Sequence, residues 1–197
     1  MKKPLLLIFL RAPVLGKVKT RLAATLGEPE ALRVYRALVQ HTLREADQLN
    51  CARQLWWADD VAEEYALRHT NFSAHVQVDG DLGERMRHAF DTGFENGYSP
   101  IIIIGTDCPG ITSEILHEAF VALDTHDTVI GPARDGGYYL LGLNAQLHVL
   151  FTNRSWSTAT VFTSTVDDLI LNKRTCQLLP ELIDVDTEED LRAMDLI

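Results

Sequence analysis

Apolar positions fall into short unbroken runs separated by longer amphipathic stretches. The runs Leu5–Leu10, Gln54–Trp57, Ala74–Val78, Ile101–Ile104, Thr128–Ile130 and Tyr138–Leu143 read as strands. Several are apolar at every position, and a strand with no polar side belongs in a sheet covered on both faces. Between Pro29 and Leu49 the apolar residues Leu32, Tyr35, Leu38, Val39, Leu43, Ala46 and Leu49 recur at helical spacing, with Pro29 suited to a first turn. A helix is also expected through Phe90, another opening near Thr112, another over Phe151–Asn172, and a late strand over Thr175–Leu179. Asp184-Val185-Asp186 reads as a short strand-like segment before a helix capped by Thr187, with Glu188, Glu189 and Asp190 in its first turn. This alternation predicts an α/β fold with a mostly parallel, helix-covered sheet, whose ligands gather at the carboxyl ends of the strands. With no repeat, low-complexity tract or Pro/Gly-rich linker, residues 1–197 are expected to form one domain.

Charge narrows the partners. With 28 acidic against 18 basic residues and a formal net charge of -10, the chain does not carry the basic surface that nucleic acids or anionic membranes need. A small anionic ligand needs only a local basic pocket. Lys2 and Lys3 before an apolar run mimic a signal peptide, but Leu5–Leu10 is too short and Arg11 interrupts it. No stretch approaches the roughly 20 apolar residues of a membrane span. Cys51, Cys108 and Cys176 are odd in number and far apart, which suits a reducing cytoplasm.

Four segments could carry chemistry. The stretch after the first strand, Arg11–Arg21, holds the cations Arg11, Lys17, Lys19 and Arg21, which could bind phosphates or merely face solvent. It is not a P-loop, because position 11 is Arg and position 18 is Val, and no GxGxxG follows the strand. Ile101–Ile104 runs into Gly105-Thr106-Asp107, where a carboxylate can bind a hard cation shared with phosphate oxygens, or simply form a turn. Cys108 beside it reads as a small buried residue rather than a nucleophile. In Gly131–Leu143, Asp135-Gly136 fits a hairpin turn or, beside Arg134 and Gly137, a ligand loop. Within Asp79–Met86, Asp81 can cap a helix whose N-terminus faces a ligand. The seven histidines are scattered and show no HExxH pattern.

Five stretches together resemble a bacterial family of unknown-function proteins classed with glycosyltransferases. That family is related to nucleotidyltransferases of the molybdenum-cofactor guanylyltransferase and phospholactate guanylyltransferase type. The stretches are Pro13/Gly16/Lys19-Thr20-Arg21-Leu22, Gly80–Met86, Gly105-Thr106-Asp107-Cys108-Pro109, Gly131-Pro132 with Asp135-Gly136-Gly137-Tyr138, and Asp184-Val185-Asp186-Thr187. The resemblance covers nearly the whole chain. It implies a GT-A-like (nucleotide-diphospho-sugar transferase) three-layer α/β/α fold, with a nucleotide or nucleotide-sugar over the carboxyl ends of the first strands. By matching positions it implies Lys19 and Arg21 at phosphates, Gly80 and Arg85 near the base, and Asp107 with Asp186 at Mg²⁺ or Mn²⁺. Asp135, beside two glycines, is the candidate catalytic carboxylate, placed to orient or deprotonate an acceptor. The first loop lacks the glycine-rich run and Pro-Lys ending of typical sugar nucleotidyltransferases. Metal-dependent glycosyl transfer from a nucleotide-sugar is therefore placed first and nucleotidyl transfer from an NTP second. A non-catalytic nucleotide-binding domain stands third, since both Asp107 and Asp186 are present.

Overall fold

A computed structural model describes residues 2–60, 71–152 and 154–194. In chain order the elements are β1 (Lys3–Leu10), α1 (Thr20–Leu26), α2 (Glu28–Asp47), β2 (Ala52–Trp57), β3 (Ser73–Val76), α3 (Leu82–Glu95), β4 (Tyr98–Ile104), α4 (Ser113–Ala122), β5 (Thr128–Pro132) and β6 (Tyr138–Leu143). A 3₁₀ turn (His148–Phe151), α5 (Val161–Leu171), β7 (Cys176–Leu178) and α6 (Glu188–Ala193) follow. The seven strands form one sheet in the order β3-β2-β1-β4-β6-β5-β7. Only β6 runs against its neighbours, β4 and β5; the remaining pairings are parallel. The fold is thus the mixed α/β, mostly parallel architecture that the apolar runs predict.

Strands apolar at every position are buried on both sides because each face meets helices. On one face Leu6, Ile8 and Leu10 of β1 and Ile102 and Ile104 of β4 pack with Tyr35, Val39 and Leu43 of α2 and Leu116 of α4. On the other, Leu5, Leu7, Ile101 and Ile103 pack with Met86, Ala89 and Phe90 of α3 and Leu169 of α5. Each large side chain so enclosed contributes about 1.5–3 kcal/mol relative to exposure. A third, smaller cluster joins Leu22 of α1, Val34 and Leu38 of α2, Val185, and Leu191 of α6. It docks the late segment against α1 and α2. Among the described residues no helix is long and apolar enough to cross a membrane.

Two expectations are corrected. Phe151–Asn172 is not one helix: the 3₁₀ turn ends at Phe151 and α5 begins only at Val161. The intervening Ser and Thr residues bond locally instead, with Thr158 Oγ1 donating to the Ser155 carbonyl and Ser157 in the left-handed region (φ 59°). Asp184–Asp186 forms no strand. Its approach is marked by an isolated bridge between Ala133 and Leu182, and Val185 instead bonds the loop after β4.

Candidate active site

The carboxyl ends of β1 and β4 open into a cleft of about 680 Å³. The basic stretch after β1 forms one wall. Tyr35 of α2 anchors its start, accepting from the Arg11 backbone N–H at 2.8 Å and donating to the Arg11 carbonyl at 2.9 Å. Within it, Lys19 immediately precedes α1 in a left-handed conformation (φ 48°, ψ 48°). From there the Lys19 side chain runs inward and is only 4% exposed. Its Nζ lies 2.7 Å from Asp107 Oδ1 and 2.9 Å from Asp186 Oδ1. Burial alone would lower the ammonium's pKa, but the two carboxylates outweigh it and the net shift is upward. Lys19 is therefore a fixed positive charge.

Asp107 stands where β4 ends, after Gly105 and Thr106, in the place where open α/β sheets present ligand-binding side chains. Asp186 reaches the same point from the far end of the sequence. Its backbone N–H donates to Asp190 Oδ2 at 3.0 Å, and Thr187 caps α6 through a capping box with Asp190. Val185 is fully buried, so in this extended stretch its neighbours Asp184 and Asp186 turn the other way, towards the cleft. Arg21 NH1 lies 3.6 Å from Asp186 Oδ2 and is 77% exposed, open to a ligand.

Asp81 caps α3 through a reciprocal box with Glu84: Glu84 N–H donates to Asp81 Oδ1 and Asp81 N–H to Glu84 Oε2, both at 2.9 Å. Arg85 follows in the first turn, lines the cleft, and donates from Nε to the Gly80 carbonyl at 2.9 Å. Gly80 is thus a backbone anchor for Arg85, behind the cleft lining. Asp135 occupies the hairpin between β5 and β6, where its Oδ1 accepts from Gly137 N–H at 2.8 Å. The turn reading of Asp135-Gly136 describes this geometry, and the residue lies beside the cleft wall.

Of the residues singled out in the sequence, the structure brings Lys19, Arg21, Asp107 and Asp186 to one point and places Arg85 in the lining of the same cleft. Gly80 and Asp135 stand outside the cleft lining, Asp135 near enough for its charge to act on Asp184. Lys19, expected at phosphates, is directed at Asp107 and Asp186 here. Asp184 was given no role by the sequence, yet burial and then the charges of Asp107 and Asp135 push its carboxyl up to about 7. The two-residue spacing of Asp184 and Asp186 around an apolar Val was the available signal. Cys108 is buried, and burial together with Asp184 drives its thiol to about 12, so it is no nucleophile. Among the described residues no three His, Cys, Asp or Glu side chains converge into a ready-made metal cage.

Comparisons with known proteins agree with this architecture. The structure of a protein from Desulfovibrio desulfuricans G20, named as a candidate nucleotide-diphospho-sugar transferase, matches with a TM-score of 0.92 and 32% identity, over 98% of this chain and 87% of that one. A CMP:2-keto-3-deoxy-manno-octonic acid synthetase solved with CTP matches at TM-score 0.61 and 12% identity, covering 99% and 98% of the two chains. The protein Rv0371C of Mycobacterium tuberculosis H37Rv, solved with manganese, matches at 0.59 and 15%, covering 98% of each. At such identities these last two share the fold alone. No curated protein matches the chain. Residues 42–158 match the family described as uncharacterized protein conserved in bacteria. On that match, which spans more than half of its length, the chain belongs to the DUF2064 family.

Proposed function

We propose that the protein is a transferase acting on a nucleotide-sugar, with a divalent cation at Asp107 and Asp186 and the donor's phosphates against the basic wall. The observation that carries this reading is the convergence of Asp107 and Asp186, 79 positions apart, on one cation position in a cleft large enough for a nucleotide. The donor set suits Mg²⁺ or Mn²⁺: such ions need only one or two carboxylates when water and phosphate oxygens complete the shell. Each carboxylate is about half exposed, and the bonds to Lys19 engage only Oδ1 of Asp107 and of Asp186. When bound, the cation would neutralise charge on the leaving diphosphate. Arg21 and Arg85, both lining the cleft, would grip phosphate and nucleoside respectively, fixing the donor for attack. Asp135 would orient or deprotonate the acceptor. The name of the 32%-identical relative from Desulfovibrio supports a nucleotide-sugar donor.

Thermal-shift and calorimetric screening of nucleotide-sugars and NTPs, with and without Mg²⁺, tests the proposal, because a ligand of the folded state raises the melting temperature. Metal-dependent binding of a nucleotide-sugar, lost in Asp107→Asn, is the expected result. Release of a nucleoside diphosphate marks glycosyl transfer, whereas release of pyrophosphate from an NTP marks nucleotidyl transfer. Tight binding with no turnover across a broad acceptor panel would leave a binding module.

A further inference from the structure

Lys19 is held in a way that a simple phosphate contact does not require. A residue with a side chain adopts the left-handed region at an energetic cost, and Lys19 sits there at φ 48°. It does so at the start of α1, where the helix dipole disfavours a cation. The conformation carries the ammonium inward until its side chain is 4% exposed, while its partners Asp107 and Asp186 remain about half exposed. Both carboxylates turn Oδ1 onto the same nitrogen, at 2.7 and 2.9 Å. That nitrogen stands at the point where one cation can be shared by the two side chains. The chain thus supplies a covalently tethered monovalent cation at the position the proposed function gives to a divalent one.

We propose that Lys19 is a built-in competitor for the metal, and that a divalent cation binds Asp107 and Asp186 only when the Lys19 side chain is displaced into the cleft. This rests on the reading of Asp107 and Asp186 as metal ligands. The displaced ammonium needs a new anionic partner, and the phosphates of a donor lying against the same wall provide one. Metal and phosphates therefore enter together, and the metal alone binds weakly. Lys19 serves two partners in turn, carboxylates in the empty cleft and phosphate in the loaded one.

The test uses Mn²⁺ alone, followed by electron paramagnetic resonance of the free ion, on the full chain. Lys19→Met removes the charge and keeps the bulk. It is expected to bind one Mn²⁺ roughly tenfold or more tighter than the parent, because a full positive charge no longer contests the site at close range. The gain should vanish in Lys19→Met/Asp107→Asn. Equal affinity in parent and Lys19→Met overturns the competitor role while leaving the metal site standing. No Mn²⁺ bound by either protein overturns the metal reading itself. Should Lys19→Met fail to fold, amine labelling of the parent, resolved by peptide mass spectrometry, decides the matter. Lys19 should be protected without metal and labelled at saturating Mn²⁺, and protection unchanged by Mn²⁺ overturns the displacement.

Discussion

The backbone N–H of Val185 donates to the carbonyl of Asp107 at 2.9 Å, joining the late segment to the loop after β4. The Val185 side chain is at the same time fully buried in the cluster with Leu22 and Leu191. One residue therefore sets the position of both Asp184 and Asp186 relative to Asp107. Val185→Ala should cost about 1–3 kcal/mol of stability through lost burial and the cavity left behind. It should also weaken donor binding, although it touches no ligand. Urea unfolding and calorimetric titration of the same variant check both effects, and intact affinity would free the site from dependence on this anchor.

Asp135 is separable into two roles. Asn at this position keeps an oxygen to accept from Gly137 N–H, whereas Ala removes it. If the carboxylate assists the acceptor, Asp135→Asn retains the melting temperature but lowers kcat by roughly 10²–10⁴-fold with little change in KM. A variant that turns over like the parent would reduce Asp135 to a turn residue.

Gly83, in the first turn of α3, lies against the Trp156 indole so closely that a Cβ there would collide with the ring. Gly83→Ala should push Trp156 outward and destabilise the fold by about 1–3 kcal/mol, as overpacking does. Trp56 and Trp57 are buried in the sheet, so a red-shifted emission component would report on Trp156. An unchanged spectrum would contradict the close approach.

Cys108 is expected to resist alkylation in the native state at pH 8, since a thiol with a pKa near 12 holds almost no thiolate there. Denaturation should restore ordinary reactivity. Fast native labelling at Cys108, identified by peptide mapping, would reopen a chemical role for it.

Acid sensitivity has an identifiable local source. Asp127 accepts from the backbone N–H and the hydroxyl of Thr175, each at 2.9 Å, and Arg174 lies beside it. The Thr175 backbone bond, followed by its hydroxyl, holds the carboxyl below its usual range. A carboxyl lowered on folding stabilises the protein fully above its unfolded pKa and loses that contribution as pH falls through the folded value. The stability gap between the parent and Asp127→Asn should thus be constant near neutrality and close below pH 4. A gap that persists in acid would place its origin outside this carboxylate.

What could be read from the sequence was what local pattern encodes. Leu5–Leu10 and Ile101–Ile104 announced themselves because both faces of each strand are buried, and α2 because its apolar stripe repeats at helical spacing. Asp81 and Thr187 were visible as caps because capping is decided within four residues. The direction of β6 was not, since Tyr138–Leu143 reads alike in either sense; only the short connection from β5, too brief for a crossover, fixes it. The break before Val161 was hidden because Phe162, Val166 and Leu169 repeat at helical spacing just beyond it, while the Ser and Thr residues between Phe151 and Val161 bond locally. At the site, Lys19, Asp107 and Asp186 could be named as chemistry-bearing residues. That the lysine faces the carboxylates could not, because nothing local relates positions so distant.

The Lys19–Asp186 contact spans 167 positions. Closing so long a stretch costs chain entropy before any attraction is gained, so β1, β4 and their helices must be in place before the pair can meet. Bringing Asp107, Asp184 and Asp186 together without the lysine would set like charges against one another. The cleft is accordingly expected to assemble late in folding and to come apart early under mild stress. Its hold is the small cluster around Val185, while the two large clusters on the sheet faces secure the remainder. Loss of ligand binding should therefore precede loss of the sheet on gentle denaturation, and a chain that keeps its circular-dichroism signal can already be inactive.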